Sequence, residues 1–188
     1  MIDKSEFDSV RKKLEQSDKY REEAIQKSRE IIRLSKQIIY SLHRGDITAA
    51  KDLMKKIKMD KSILLQKHFD SDTDMPNVAM QEYVEAASYF DFVIKGVIPD
   101  RKELNVTVEA YLGGLADLTG ELVRKAIDDL INNKIEDAVK IKDLVDEIYG
   151  GFLKLDLRNG ELRKKSDSIK WSLNKLQEVI FEAKLKRR

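Results

Sequence analysis

Cysteine is absent from the 188 residues. That excludes disulfide bridges, thiolate zinc sites and a cysteine nucleophile. Proline occurs twice and glycine eight times, too few turn-formers for a β sandwich or a doubly wound sheet. No apolar run approaches the roughly 18–20 residues of a membrane span. The opening Met1-Ile2-Asp3-Lys4-Ser5-Glu6 lacks the apolar stretch of a secretory signal. These absences predict a soluble, cytoplasmic protein without a membrane partner. A dominant charge is missing as well: 36 Lys and Arg stand against 34 Asp and Glu, a formal net charge of +2. Attraction to nucleic acid therefore has to come from a local patch.

Hydrophobic residues make up 41% and charged residues 37% of the chain, enough apolar content for a core and against disorder throughout. The apolar residues recur at the helical period. The sequence predicts an all-α fold, one helical domain over residues 1–188, with a long N-terminal helix from about Ser5 to His43. The stripe of that helix includes Leu14, Ala24 or Ile25, Ile31, Ile32, Ile38, Ile39 and Leu42. Gly45 reads as its stop and Asp46 as the cap of the next helix. Nearly 40 helical residues span about 60 Å, longer than a compact domain of this size, so part of the helix is expected to pack on another subunit. Further helices are predicted at 47–57, 59–69, 76–95, 106–131, 134–149 and 159–186. Ile98-Pro99-Asp100 reads as a turn, and Asn132-Asn133, Gly150-Gly151 and Asn159-Gly160 read as breaks.

Two segments depart from ordinary amphipathic patterning. From Val78 to Ile94 almost every residue is apolar or small, as in a buried helix, yet Glu82 and Glu85 share a face three residues apart. From Val106 to Val123 the pattern recurs, with Asp117 and Glu121 four apart. The second segment also holds Gly113, Gly114 and Gly120; each costs a helix interior roughly 0.8–1.0 kcal/mol against alanine, which close approach of another helix would offset. Four carboxylates on two largely buried helices must protonate, pair with basic residues or bind a cation. With no cysteine and no histidine close by in sequence, a hard ion, Mg²⁺ with Mn²⁺ as a substitute, suits them better than zinc. The competing reading is an ion-pair network in which Glu82 and Glu85 meet Arg29, Arg33 or Lys36, which lie along one helical stripe. His43 and Arg44 read as cations at a helix C-terminus, Lys164 and Lys165 as solvating charge, and Trp171 as core or subunit interface. Neither His43 nor His68 follows a Glu by three residues, against a di-iron bundle site. All-α nucleotide pyrophosphohydrolases, which use Glu-x-x-Glu and then Glu-x-x-Asp, stand as a minor rival: Glu82-x-x-Glu85 has the first spacing, while Asp117-x-x-x-Glu121 changes the order and spacing of the second.

The same stretches resemble the translin family, in particular translin-associated factor X. They are Gln81-Glu-Tyr-Val-Glu-Ala-Ala-Ser88 and Tyr111-Leu-Gly-Gly-Leu-Ala-Asp-Leu-Thr-Gly-Glu-Leu122. Support comes from Ser28–Lys36 leading to Leu42-His43-Arg44, from Tyr149–Lys154, and from Leu162–Lys165 leading to Trp171. The resemblance implies about seven helices in a closed, hollow, octamer-like homo-oligomer that binds RNA, single-stranded first, with DNA as an alternative. It further implies a metal-dependent endoribonuclease site in which Glu82, Glu85, Asp117 and Glu121 match the catalytic, metal-binding acids. Arg29, Arg33 and Lys36 are the candidate nucleic-acid contacts, because phosphate contacts position a strand. A translin-like protein that binds nucleic acid without turnover is the alternative.

Overall fold

A computed structural model describes residues 4–66 and 73–186. The first helix, α1 (Lys4–His43), is 40 residues long. Buried Ala24, Ser28, Ile31, Ser35, Ile38 and Leu42 fall alternately four and three apart, the spacing that keeps one seam facing a neighbour, and buried Leu34 and Ile39 widen it. Residues 5–22 of the same helix are exposed throughout, Leu14 of the predicted stripe among them. Gly45 turns the chain at φ +75°, where only glycine sits without strain, and Asp46 Oδ1 accepts from the Ala49 N–H at 3.0 Å, so the predicted stop and cap both form.

The second helix, α2 (Ile47–Gln66), runs back without interruption. The sequence reading divides it at Lys58, and the structure corrects that division. The charges at the supposed break are satisfied in the tertiary structure: Asp60 Oδ1 accepts from Lys27 Nζ at 3.1 Å, and Lys61 Nζ donates to the Leu104 carbonyl. Residues 67–69 of the predicted segment, with His68, lie outside the described residues. Pro76 enters α3 (Met75–Lys95) in its first turn, and Gly96 ends it in the left-handed region. A single turn, α4 (Arg101–Leu104), follows directly after the predicted Ile98-Pro99-Asp100 turn, opened by a capping box between Asp100 and Glu103.

Thr107 caps α5 (Val108–Ile131), and Asn133, at φ +61°, separates it from α6 (Ile135–Leu153). Helix α6 passes through Gly150-Gly151, which the sequence reading makes a break. Neither glycine takes a positive φ, and buried Phe152 anchors the last turn to the core. The final helix is α7 (Glu161–Leu185). The elements form a bundle in which α3 lies between α1 and α5, α2 covers α1, and α6 and α7 pack on α5 and on each other. Trp171 is 75% exposed on α7, so it is not core within one chain. Among the described residues there is no strand, and no helix is long and apolar enough to cross a membrane.

Candidate functional site: carboxylates where two central helices meet

Helices α3 and α5 meet at glycine. A Cβ built on Gly114 would stand 2.5 Å from the Gln81 carbonyl oxygen and 2.6 Å from Val84 Cβ; one on Gly113 would stand 2.5 Å from Gln81 Oε1. Only a residue without a side chain lets the two backbones come this close. The predicted reason for these glycines therefore holds for Gly114; at Gly113 the close atoms belong to the flexible Gln81 side chain. It fails for Gly120, which has nothing within 4 Å of its would-be Cβ.

The crossing at Gln81 and Gly114 is one residue from Glu82 and three from Asp117, and it brings the four acids into one another's field. Burial raises the Glu82 carboxyl above its ordinary value, with Asp117 adding to the rise and Lys36 and Lys165 opposing it. Burial pushes Glu85 up to about 8, reinforced by Asp117, Glu82 and Glu121. Two of the acids have partners. Asp117 Oδ2 lies 2.5 Å from Lys165 Nζ, which also donates to Gln81 Oε1 at 2.7 Å. Glu121 Oε2 lies 2.5 Å from His43 Nε2 and 3.9 Å from Arg124 Nη1; the histidine bond holds the Glu121 carboxyl below its usual range against the cost of burial. Glu82 and Glu85 have no side-chain hydrogen bond or ion pair among the described residues.

Two side chains enter this site unannounced by the sequence reading. Lys165, read as solvating charge, reaches across from α7 to clamp Asp117. His43, expected as a cation capping the end of α1, has a side chain only 4% exposed; its Nδ1 lies 3.1 Å from the Tyr89 hydroxyl, and the two rings stand 4.9 Å apart. A signal for His43 existed: it falls four residues after buried Ile39, on the inward side of α1.

The predicted ion-pair alternative does not form. Arg29, Arg33 and Lys36 are exposed on α1. Arg33 Nη2 lies 3.8 Å from Glu30 Oε1, and Lys36 is close enough to Glu82 to act on its carboxyl only through its field. With Ile32, Gln37 and Tyr40 these three basic residues line a shallow groove of about 560 Å³. Of the three, Lys36 is the one whose charge reaches an acid of the cluster, Glu82. On the α7 side, Gln81 and Lys165 form part of the wall of a separate cavity of about 580 Å³.

The donor set is made of hard oxygens carrying excess negative charge in a half-buried site, the chemistry that Mg²⁺ and Mn²⁺ satisfy. Among the described residues no three acid or imidazole groups are already drawn into a metal-ligating group, because Asp117 is turned to Lys165 and Glu121 to His43. The residues fit a divalent cation in type and charge. Lys165 holds Asp117 through Oδ2 alone, so the lysine competes with a cation for that carboxylate without occupying its other oxygen.

Comparison with known proteins gives a consistent result. The family model described as Translin family matches residues 19–187. Translin of Homo sapiens is 32% identical over 94 residues, 50% of this chain and 41% of its own length; the chain thus matches about two fifths of that relative. Translin-associated protein X of Pongo abelii is 29% identical over 229 aligned positions, covering 96% of this chain and 78% of its own. Among solved structures, apo-NeC3PO superposes with a TM-score of 0.90 at 29% identity, covering 97% of this chain and 98% of that one. The AfC3PO–duplex RNA complex superposes at 0.85 and 27% identity with the same coverage.

Proposed function

This chain belongs to the translin family, and from that premise we propose that it is a divalent-metal-dependent endoribonuclease that works as a hollow homo-oligomer. The observation that carries the reading is the convergence of Glu82, Glu85, Asp117 and Glu121 at the α3–α5 crossing, with Glu85 pushed up to about 8 by burial and its three acidic neighbours. Four acids so placed are destabilising to one another unless a cation joins them. The resemblance to translin-associated protein X and to a C3PO that binds duplex RNA supplies the substrate class.

Bound Mg²⁺ or Mn²⁺ would polarise a phosphoryl oxygen and acidify water at neutral pH. Glu82, Glu85, Asp117 and Glu121 would hold it. The remaining work belongs to the chain's own groups. Arg29, Arg33 and Lys36 meet the phosphates of the strand along the α1 groove and set its register. Glu85, whose carboxyl burial pushes up to about 8, would ligate as the carboxylate, so filling of the site would release its proton. An ionised carboxylate oxygen of the same cluster orients the attacking water by accepting its hydrogen bond. The exposed arm of α1, with Phe7, Val10 and Leu14 at a spacing of three and four, supports assembly with further copies.

A second reading, RNA binding without turnover, is favoured by one observation: Lys165 and His43 already hold two of the acids. Incubation of the pure protein with labelled single- and double-stranded RNA, in Mg²⁺, in Mn²⁺ and in chelator, separates the two. The nuclease reading expects internal cuts that chelator abolishes and that Asp117→Asn and Glu85→Gln reduce about 100-fold or more, with RNA binding retained. Equal cleavage in chelator or in both variants overturns it. Salt-sensitive binding with no cleavage in either ion establishes the second reading instead.

A further inference from the structure

We propose that His43, locked from behind by Tyr89, is the positioning residue that aims Glu121 into the carboxylate cluster; the inference rests on the metal-dependent reading above and deepens it. The bond from His43 Nε2 to Glu121 Oε2 is 2.5 Å, and the bond between the Tyr89 hydroxyl and His43 Nδ1 is 3.1 Å. A carboxylate can only accept, so Nε2 carries the proton and donates it. The carboxylate thus sets the proton on Nε2, and Nδ1 bonds the Tyr89 hydroxyl whether the ring is neutral, with the hydroxyl donating, or charged, with Nδ1–H donating. In either state this hydroxyl fixes the rotation of the ring. Tyr89 is 1% exposed, and nothing in the arrangement is loose: the three residues come from α1, α3 and α5, so the line of bonds ties together the helices that carry the site.

The partners of Glu121 both contact Oε2. Oε1 has no partner among the described residues and remains the oxygen with which Glu121 can ligate. A ligand group held in this way by a second hydrogen-bonding partner is the usual means by which a protein orients a metal site, and its loss costs roughly 10–100-fold in metal affinity or activity. Asp117 lacks such support: its contact is a half-buried lysine ammonium that carries the same sign of charge as the cation it would bind. The two aspects of the site are therefore unlike. Each keeps one carboxylate oxygen outside its hydrogen bond, but Glu121 is held by an imidazole and Asp117 by an ammonium that competes with a cation for it.

The test uses the full-length oligomer and Mn²⁺ without RNA, followed by titration calorimetry. His43→Asn, which cannot extend a donor to Glu121, is expected to lose about 10–100-fold in Mn²⁺ affinity. His43→Gln places an amide N–H where Nε2 stood and is expected to recover most of that loss. Tyr89→Phe keeps the packing, removes only the hydroxyl and is expected to weaken Mn²⁺ severalfold, which carries the test even where His43→Asn unfolds. RNA affinity in chelator stays at the wild-type value in all three, and with Mn²⁺ saturating the loss in cleavage falls on kcat rather than KM. Wild-type Mn²⁺ affinity in folded His43→Asn or in Tyr89→Phe overturns the proposal, as does equal loss in the asparagine and glutamine variants, which marks a role in packing alone. Absence of Mn²⁺ binding by the wild type overturns both this proposal and the nuclease reading, whereas the preceding outcomes leave the nuclease reading standing.

Discussion

The Glu85 carboxyl is pushed up to about 8, from an ordinary value near 4.5, by burial and then by Asp117, Glu82 and Glu121. Between those two values the folded chain holds a proton that the unfolded chain has released. Stability therefore falls as pH rises from about 4.5 to 8, because the folded state binds more protons across that window. Glu85→Gln removes the titrating group. In chelator the variant is expected to match the wild type near pH 5 and to exceed it at pH 8.5 by about 1 kcal/mol or more, some 2–4 °C in Tm. Mg²⁺ is expected to close that gap by stabilising the wild type alone, all read by thermal melts across pH. The acids themselves were legible in the sequence, since charges on apolar helices stand out. Their partners were not. Lys165 is one of many lysines in a helix with an exposed face, and what singles it out is the packing of α7 against α5, which no local spacing encodes.

Gly114 and Gly120 sit on the same helix, six residues apart, and look alike in sequence. In the structure a side chain on Gly114 meets the backbone of α3, whereas one on Gly120 meets open space. Gly114→Ala is expected to cost about 1–3 kcal/mol, since a fixed backbone cannot yield as a flexible side chain can, and it should disturb the α3–α5 spacing that the site depends on. Gly120→Ala is expected to gain roughly 0.8–1.0 kcal/mol of helix propensity in the isolated chain. Denaturant melts of the two variants measure both. Helix existence was readable along the chain because the apolar period is strong, and stops that need a positive φ, such as Gly45 and Asn133, were readable too. The misplaced breaks at Lys58 and at Gly150-Gly151 have a common origin: a charged stretch or a glycine pair weakens a helix locally, and tertiary partners for Asp60, Lys61 and Phe152 override it.

The seam of α1 extends beyond the bundle. Ala24, Ser28, Ile31, Ser35, Ile38 and Leu42 are buried against α2 and α3, and the same alternating spacing carried backwards reaches Leu14, Val10 and Phe7, all exposed. Phe7 and Leu14 are each 61% exposed, unusual for large apolar side chains on one stripe. A second copy of the chain covering that arm fits the proposed assembly. Phe7→Asp with Leu14→Asp is expected to reduce the particle mass in light scattering to smaller species while the helical circular dichroism per residue stays nearly unchanged. Unaltered mass would remove the arm from the assembly contact.

The amino-acid order alone settled that this chain is helical, where its long helix begins and stops, and which four acids are out of place. Those properties depend on neighbours a few positions apart, and short-range periodicity records them. The depth of the α3–α5 contact, the burial of His43 against Glu121 and the grip of Lys165 on Asp117 were decided by three-dimensional packing. They join residues 48 and 78 positions apart, and at such separations the strength of a charge interaction is set by how the helices pack and how much water they exclude.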